Sequence, residues 1–356
     1  LKRIDNRGKG EMMDNSEVQS RASRVQEAIN EFQRLRPPFW LALAMLFSLW
    51  GVPARAQSYA YVPTHKSNSV SVISTATNSV IAVVPVGIQP LQAAISPDGA
   101  FAYVTNSGWF YANNDVSVIS TATNTVVATI PVGRFPIGVA FTPNGAFAYV
   151  VNQNSNDVSV IDTASRTVAA TVAVGTNPWG VAVTPNGAFA YVTNQATNDV
   201  SVISTATNAV VATIPAGSDP LGLAISPDGA FAYITNYLSS SVSVINTATN
   251  SVVNTIAVGT YPIAVAVTPN GVSAYVVNNG QGSNSVSVLR TATGAVVATV
   301  PVEFDPRGVA ITPDGAFAYV SNRISNTVSV ISTATNTVTT TVSGVAFLPE
   351  GVAIKP

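Results

Sequence analysis

From Tyr59 onward, short apolar runs alternate with polar turns, and the alternation itself recurs. One unit contains Gly138 to Thr142, Phe147 to Val151, Val158 to Ile161 and Val168 to Val174, runs of 4–7 residues rich in Val, Ile, Thr, Tyr and Ala. None shows a 3.6-residue period, so they read as strands rather than helices. In the second run Phe147 and Tyr149 point one way while Ala146 and Ala148 point the other. Such a strand is suited to a sheet covered on both faces, with large side chains of one sheet filling against small ones of the next.

The tyrosine of this run recurs at Tyr61, Tyr103, Tyr149, Tyr191, Tyr233, Tyr275 and Tyr319, at intervals of 42, 46, 42, 42, 42 and 44 residues. A period of this length carrying four strands is the signature of a β-propeller. The turns agree. Pro143-Asn144-Gly145 and Pro227-Asp228-Gly229 link the first run to the second, with proline presetting φ and glycine supplying a positive φ. The third and fourth runs are joined by turns that end in Asn78, Asn124, Asn208, Asn250, Asn336 or Gly294, residues that enter the left-handed region cheaply. Arg166 stands at that position in one unit, where mild strain is expected.

The fold expected is all-β: a seven-bladed β-propeller of four-stranded antiparallel blades. The repeats begin at a second strand, Tyr59 to Val62, and end with Gly351 to Pro356, a copy of a first strand. Seven complete blades result only if this C-terminal strand joins the N-terminal blade. That would close the ring and leave no unpaired sheet edge at the joint.

Tyr103-Val104-Thr105-Asn106 and Tyr191-Val192-Thr193-Asn194, with near copies at Tyr149, Tyr233, Tyr275 and Tyr319, resemble the motif of the YVTN-family β-propellers. Tyr61-Val62-Pro63-Thr64 departs from it by losing the asparagine. The resemblance covers essentially all of 57–356. It implies a seven-bladed, exported or cell-surface propeller similar to surface-layer-associated repeat proteins, and says far less about activity.

Ahead of the repeats, residues 1–36 hold 8 Lys/Arg and 6 Asp/Glu and read as a charged extension or a mis-assigned start, with Met12 or Met13 the alternative beginnings. Residues 37–56 follow the pattern of a secretory signal: Arg34 and Arg36, an apolar stretch from Phe39 to Trp50, then Ala54-Arg55-Ala56. The apolar stretch is shorter than a membrane span requires, so no span is expected after cleavage. An exported protein is therefore expected: periplasmic, secreted or at the cell surface. Residues 57–356 carry 16 − 9 = 7 basic and 17 − 6 = 11 acidic residues, a sparse net charge of −4 that argues against nucleic acid. There is no cysteine, so disulfides and thiolate metal sites are excluded.

In a four-stranded blade, the loops between second and third strands share one end of the ring with those between blades. These loops vary, and all three length changes fall in them: Asn106 to Asp115, Asn278 to Ser285, and Ser343 to Leu348. Variable loops on a rigid scaffold usually carry binding. The same end collects Trp109, Phe110, Tyr111, Phe135, Trp179, Tyr237, Tyr261, Phe304, Arg307 and Arg323, the candidate binding face, with Lys66, Arg134, Asp219, Glu303 and Asp305 adding scattered charge. The asparagines that end the motif are expected to bond nearby backbone as Asx-type turns. His65 is the single histidine, no Gly-x-Ser-x-Gly elbow occurs, and no catalytic, cofactor or metal residue is assigned. The reading favoured by sequence is a non-enzymatic module at the cell envelope that recognises a protein or glycan. The alternatives are a lactonase-like hydrolase or lyase and a structural component of a surface layer. A hydrolase would need acids and bases converging at the channel mouth, from Asp219, Asp305, Glu350, Arg307 and His65.

Overall fold

The computed structural model describes Glu27 and residues 58–108, 114–280 and 284–355. The chain divides into two units, Leu1–Ala56 and Gln57–Pro356; the architecture below is that of the second.

Seven four-stranded antiparallel sheets are present, each ordered A–B–C–D. Blade one takes its A strand from the C-terminus: β28 (Ala353–Lys355) lies beside β1 (Tyr59–Thr64), followed by β2 (Ser69–Ser74) and β3 (Ser79–Pro85). Blades two to seven start at β4 (Pro90–Ile95), β8 (Pro136–Phe141), β12 (Pro178–Val183), β16 (Pro220–Ile225), β20 (Pro262–Val267) and β24 (Pro306–Ile311). These A strands touch one another around the full circuit, β24 against β28 and β28 against β4 included, and so wall a central channel. The D strands form the outer edges, largely exposed. The A strand begins two residues earlier than its apolar run indicates. Pro136 already pairs with Asn152, and a register shift before Val139 hides this start from the alternation pattern.

The large-against-small packing is present. Tyr149, Val151, Val158 and Val160 of blade three pack on Ala190, Val192 and Ile203 of blade four. Ala148, Val150 and Ile161, on the opposite face of blade three, receive Tyr103 from blade two. The inner strands approach so closely that a side chain at Gly180 would place its Cβ 2.6 Å from the Leu221 carbonyl of the next blade. Glycine there is a packing requirement.

The three polar motif residues have separable tasks. The tyrosine reaches forward to the next blade. Tyr61, Tyr149, Tyr191 and Tyr275 donate their hydroxyls to Oδ1 of Asn124, Asn208, Asn250 and Asn336 at 2.6–3.0 Å. Each acceptor is the left-handed asparagine of a C–D turn, with φ between 51° and 53° in Asn124, Asn208 and Asn336 and 50° in Asn250. That asparagine therefore serves the turn and the joint together. Where Arg166 or Gly294 replaces it, no such bond forms from Tyr103 or Tyr233. Arg166 keeps the turn's positive φ of 56° and places its guanidinium 5.1 Å from the Phe101 ring. The threonine also reaches forward: Thr105 and Thr193 donate to the carbonyls of Ile137 and Leu221 at 2.7 and 2.6 Å.

The asparagine turns inward. It is fully buried, and in Asn152 Nδ2 donates to Asp157 at 2.7 Å and to Ser159 at 2.9 Å, both on the neighbouring strand. Asn106 and Asn194 repeat this with Asp115 and Ser117, and with Asp199 and Ser201. This corrects the expected Asx-type turns. With the following residue already held by backbone, the amide bonds side chains of the adjacent strand instead.

The seventh joint closes the ring by the same contacts. Tyr319 donates to Oδ1 of Asn78 in blade one at 2.5 Å, and Ser321 donates to the Glu350 carbonyl. Tyr59, Ala60 and Tyr61 pair with Lys355, Ile354 and Ala353. Glu350 N–H donates to the Pro63 carbonyl, and Gly351 N–H to the Leu91 carbonyl, both at 2.9 Å.

Burial pushes the phenols of Tyr61, Tyr275 and Tyr319 up to about 12, so they remain donors. A raised folded pKa contributes stability that is complete below the unfolded value of about 10 and is lost as pH rises through the folded value. Tyr319→Phe is expected to lower stability by about 1 kcal/mol in denaturant titration at neutral pH, and Tyr233→Phe, which breaks no such bond, by much less. Wild-type melting temperature is expected to fall between pH 10 and about 12, with a shallower fall in the Tyr319→Phe protein. Equal losses for the two variants would contradict the role given to the asparagine.

Candidate functional site at the channel mouth

At the end of the ring that carries the B–C and interblade loops, the residue before each A-strand proline has a positive φ. Gln89, Phe135, Asn177, Asp219, Tyr261, Asp305 and Leu348 lie between 51° and 61°. For Phe, Tyr and Leu this conformation is costly and persists only when the surroundings impose it. Here the backbone is held, by both its groups at six of the seven positions and by the carbonyl at Tyr261. Its carbonyl accepts the N–H of the first B–C loop residue, from Arg323 to Asp305 at 2.8 Å and from His65 to Leu348 at 2.9 Å. In six of the seven its N–H donates to an asparagine of the preceding blade, as Phe135 does to Asn114 and Leu348 to Asn326. The mouth is therefore a preorganised ring, with side chains presented from fixed backbone positions.

Inside it is a cavity of about 410 Å³ whose wall includes Leu91, Gln92, Ile137, Gln153, Trp179 and Ile263, together with His65, Arg307, Arg323 and Glu350. The charged groups gather on two adjacent blades. Asp305, Arg307 and Arg323 belong to blade seven, His65 and Glu350 to blade one. Arg323 Nε lies 2.6 Å from Glu350 Oε1, and its Nη1 lies 3.2 Å from Asp305 Oδ2. Arg307 Nε lies 3.1 Å from Asp305 Oδ1. Asn279 Nδ2 donates to Asp305 Oδ1 at 2.5 Å and to the Pro306 carbonyl at 2.9 Å, which fixes the carboxylate from blade six.

The two carboxyls are pushed apart. Burial raises Glu350, against the pull of Arg307 and Arg323. Asp305 feels burial as well, but Arg307, Asn279 and Arg323 outweigh it and hold the carboxyl below its ordinary range. His65 is lowered by burial first, then by Arg323, Lys66 and Arg307. It is neutral at pH 7, and its Nδ1 is buried without a hydrogen-bond partner. A neutral imidazole, two guanidiniums and two carboxyls around one mouth can bind an oxygen-rich ligand, move a proton and stabilise an oxyanion.

Of the candidates named from sequence, Arg307, Arg323, Trp179 and Phe135 line the cavity. Tyr237 and Tyr261 stack with ring centroids 4.7 Å apart. Phe304 is two-thirds exposed on the rim, outside the cavity wall. Trp109, Phe110 and Tyr111 lie outside the described residues. His65, Asp305 and Glu350 converge with the two arginines; Asp219 does not line the cavity, and burial raises its carboxyl. Sequence reading missed Leu91, Gln92, Ile137, Gln153 and Ile263. The available signal was position: Leu91, Ile137, Trp179, Ile263, Arg307 and Glu350 each follow a loop proline. Among the described residues, no three His, Asp or Glu side chains form a metal-sized group.

This ring of seven blades around a polar mouth is a propeller of the kind that carries enzymes as well as binding modules. The chain belongs to the lactonase family of seven-bladed β-propellers, matching it over residues 52–171 and 205–356. Among solved structures it is similar to the Kuenenia stuttgartiensis hydrazine synthase, with 27% identity and a TM-score of 0.62 over 68% of this chain and 76% of that one. It is also similar to two candidate 6-phosphogluconolactonases. The one from Bacteroides fragilis NCTC 9343 has 18% identity and a TM-score of 0.74 over 85% of this chain and 99% of that one. The one from Bacteroides uniformis ATCC 8492 has 19% identity and a TM-score of 0.72 over 84% of this chain and all of that one. No curated protein sequence matches the chain.

With a single histidine in the chain, one imidazole signal reports on the whole cluster. NMR titration is expected to give His65 a pKa below 6.5 in the wild type, rising toward 6.5 in Arg323→Gln as one cation is removed. An unchanged value would show that Arg323 does not act on His65.

Proposed function

We propose that the mouth opens a sugar-type lactone by hydrolysis. The observation that carries this reading is the gathering of His65, Asp305, Glu350, Arg307 and Arg323 at the junction of two blades. Membership of the lactonase family supports it. His65 is the base: its imidazole accepts a proton from water as the water oxygen adds to the lactone carbonyl carbon. The carbonyl oxygen becomes an oxyanion beside the guanidiniums of Arg307 and Arg323. The carbon to ring-oxygen bond then breaks, and the leaving oxygen takes the proton back from the His65 imidazolium. The product is an open hydroxy acid. Asp305 and Glu350 hold the two guanidiniums in place, and Trp179 in the cavity wall offers a flat surface for the sugar ring.

A second reading, partner docking on the same face, is favoured by Phe304, Ile324 and Phe347, apolar side chains each more than 60% exposed on the loops of blades seven and one. Export to the periplasm or beyond is part of both readings. Its support is the signal-like stretch at 37–56, which lies outside the described residues.

Purified protein is expected to open gluconolactone above the spontaneous rate, with kcat falling as pH drops below 6.5 and His65 becomes charged. His65→Gln is expected to lower kcat by about 100-fold, with melting almost unchanged. Turnover that survives this substitution would remove histidine from the mechanism, and no turnover by the wild type would leave the docking reading.

A further inference from the structure

We infer that the mouth selects an uncharged lactone over its phosphorylated counterpart, an inference that rests on the hydrolase reading above. A phosphate monoester carries nearly two negative charges and is normally held by free cationic donors. The cavity wall has two guanidiniums among the described residues, and both already face carboxyls. Arg323 faces Glu350 at 2.6 Å and Asp305 at 3.2 Å, and Arg307 faces Asp305 at 3.1 Å. Two cations thus meet two carboxyls, so N–H donors remain for a single developing charge but no uncompensated positive charge for a dianion. Lys66 and Arg134 lie outside the cavity wall.

A phosphate entering this sector would meet two carboxyl groups or would have to pull a half-buried ion pair apart. Either adds a repulsive element against the charged substrate. The rest of the wall suits a neutral polyol. Gln92 and Gln153 offer amide donors and acceptors to hydroxyls. Trp179, Ile137 and Ile263 offer apolar surface to the ring. A volume of about 410 Å³ lies at the small end of ligand pockets and takes one sugar unit. The charge pairing therefore acts as a specificity filter, and Glu350 is a positioning residue that also neutralises Arg323.

The experiment compares kcat/KM of the purified full chain for gluconolactone and for 6-phosphogluconolactone, in the wild type and in Glu350→Gln. The wild type is expected to prefer the uncharged lactone by about tenfold or more, the size of effect expected from one unfavourable charge contact. Glu350→Gln frees one positive charge and is expected to shift the ratio several-fold toward the phosphorylated substrate. Equal or reversed preference in the wild type would overturn the specificity and leave the hydrolase reading intact. A wild-type preference that Glu350→Gln does not change would overturn the charge-pairing origin. No turnover of either lactone would overturn both.

Discussion

The structure depends on each blade packing the large side chains of its B strand on the small ones of the next, with side-chain bonds added at six of the seven joints, and on the seventh blade finding the first. The strand B tyrosine bonds across five joints, and the threonine or serine two residues on bonds across three. The asparagine beside them braces its own sheet. At a typical net value of about 1 kcal/mol each, these bonds are individually modest. Repeated around a closed circuit, they leave no terminal blade with an open apolar face. An open series would expose one such face at each end. Here Tyr319 meets Asn78 and β28 completes the sheet of β1, so neither face is left open.

The closing joint is also where the chemistry gathers. Blade seven brings Asp305, Arg307 and Arg323, while the returning C-terminal segment brings Glu350 to face Arg323. His65 is fixed beside them because its N–H donates to the Leu348 carbonyl of that same segment. Stability and site are thus linked at one place: the residues that seal the ring present the Glu350 carboxyl. In a repeat protein every blade offers the same positions, so departures from the consensus are informative. The residue after the loop proline is apolar in five blades and becomes Arg307 and Glu350 in the two that meet at closure.

The sequence made the architecture legible because it states it seven times. Tyrosine spacing gave the blade count, the positions of the chain ends gave the closure, and alternation gave the packing of Tyr149 on Ala190. Strand limits were less legible at β8, where a register shift interrupts pairing after Pro136. The second task of Asn208, accepting the Tyr149 hydroxyl, lay hidden behind its turn geometry. Convergence of the charged residues was the least accessible feature. Glu350 and Arg323 are 27 residues apart and His65 lies at the other end of the chain, and only the folded circuit puts them together. Loop aromatics such as Phe304 stand exposed on the rim, whereas the ion-paired groups lie inside it.

Removal of Gly351–Pro356 tests the account most directly, because it deletes β28 and spares every other strand. The truncated protein is expected to melt far lower than the intact chain and to be cut rapidly by protease in blades one and seven, the two that lose their seal. If it keeps the melting temperature and protease resistance of the intact chain, the ring is not held shut by its own C-terminus, and the placement of Glu350 beside Arg323 loses its structural basis.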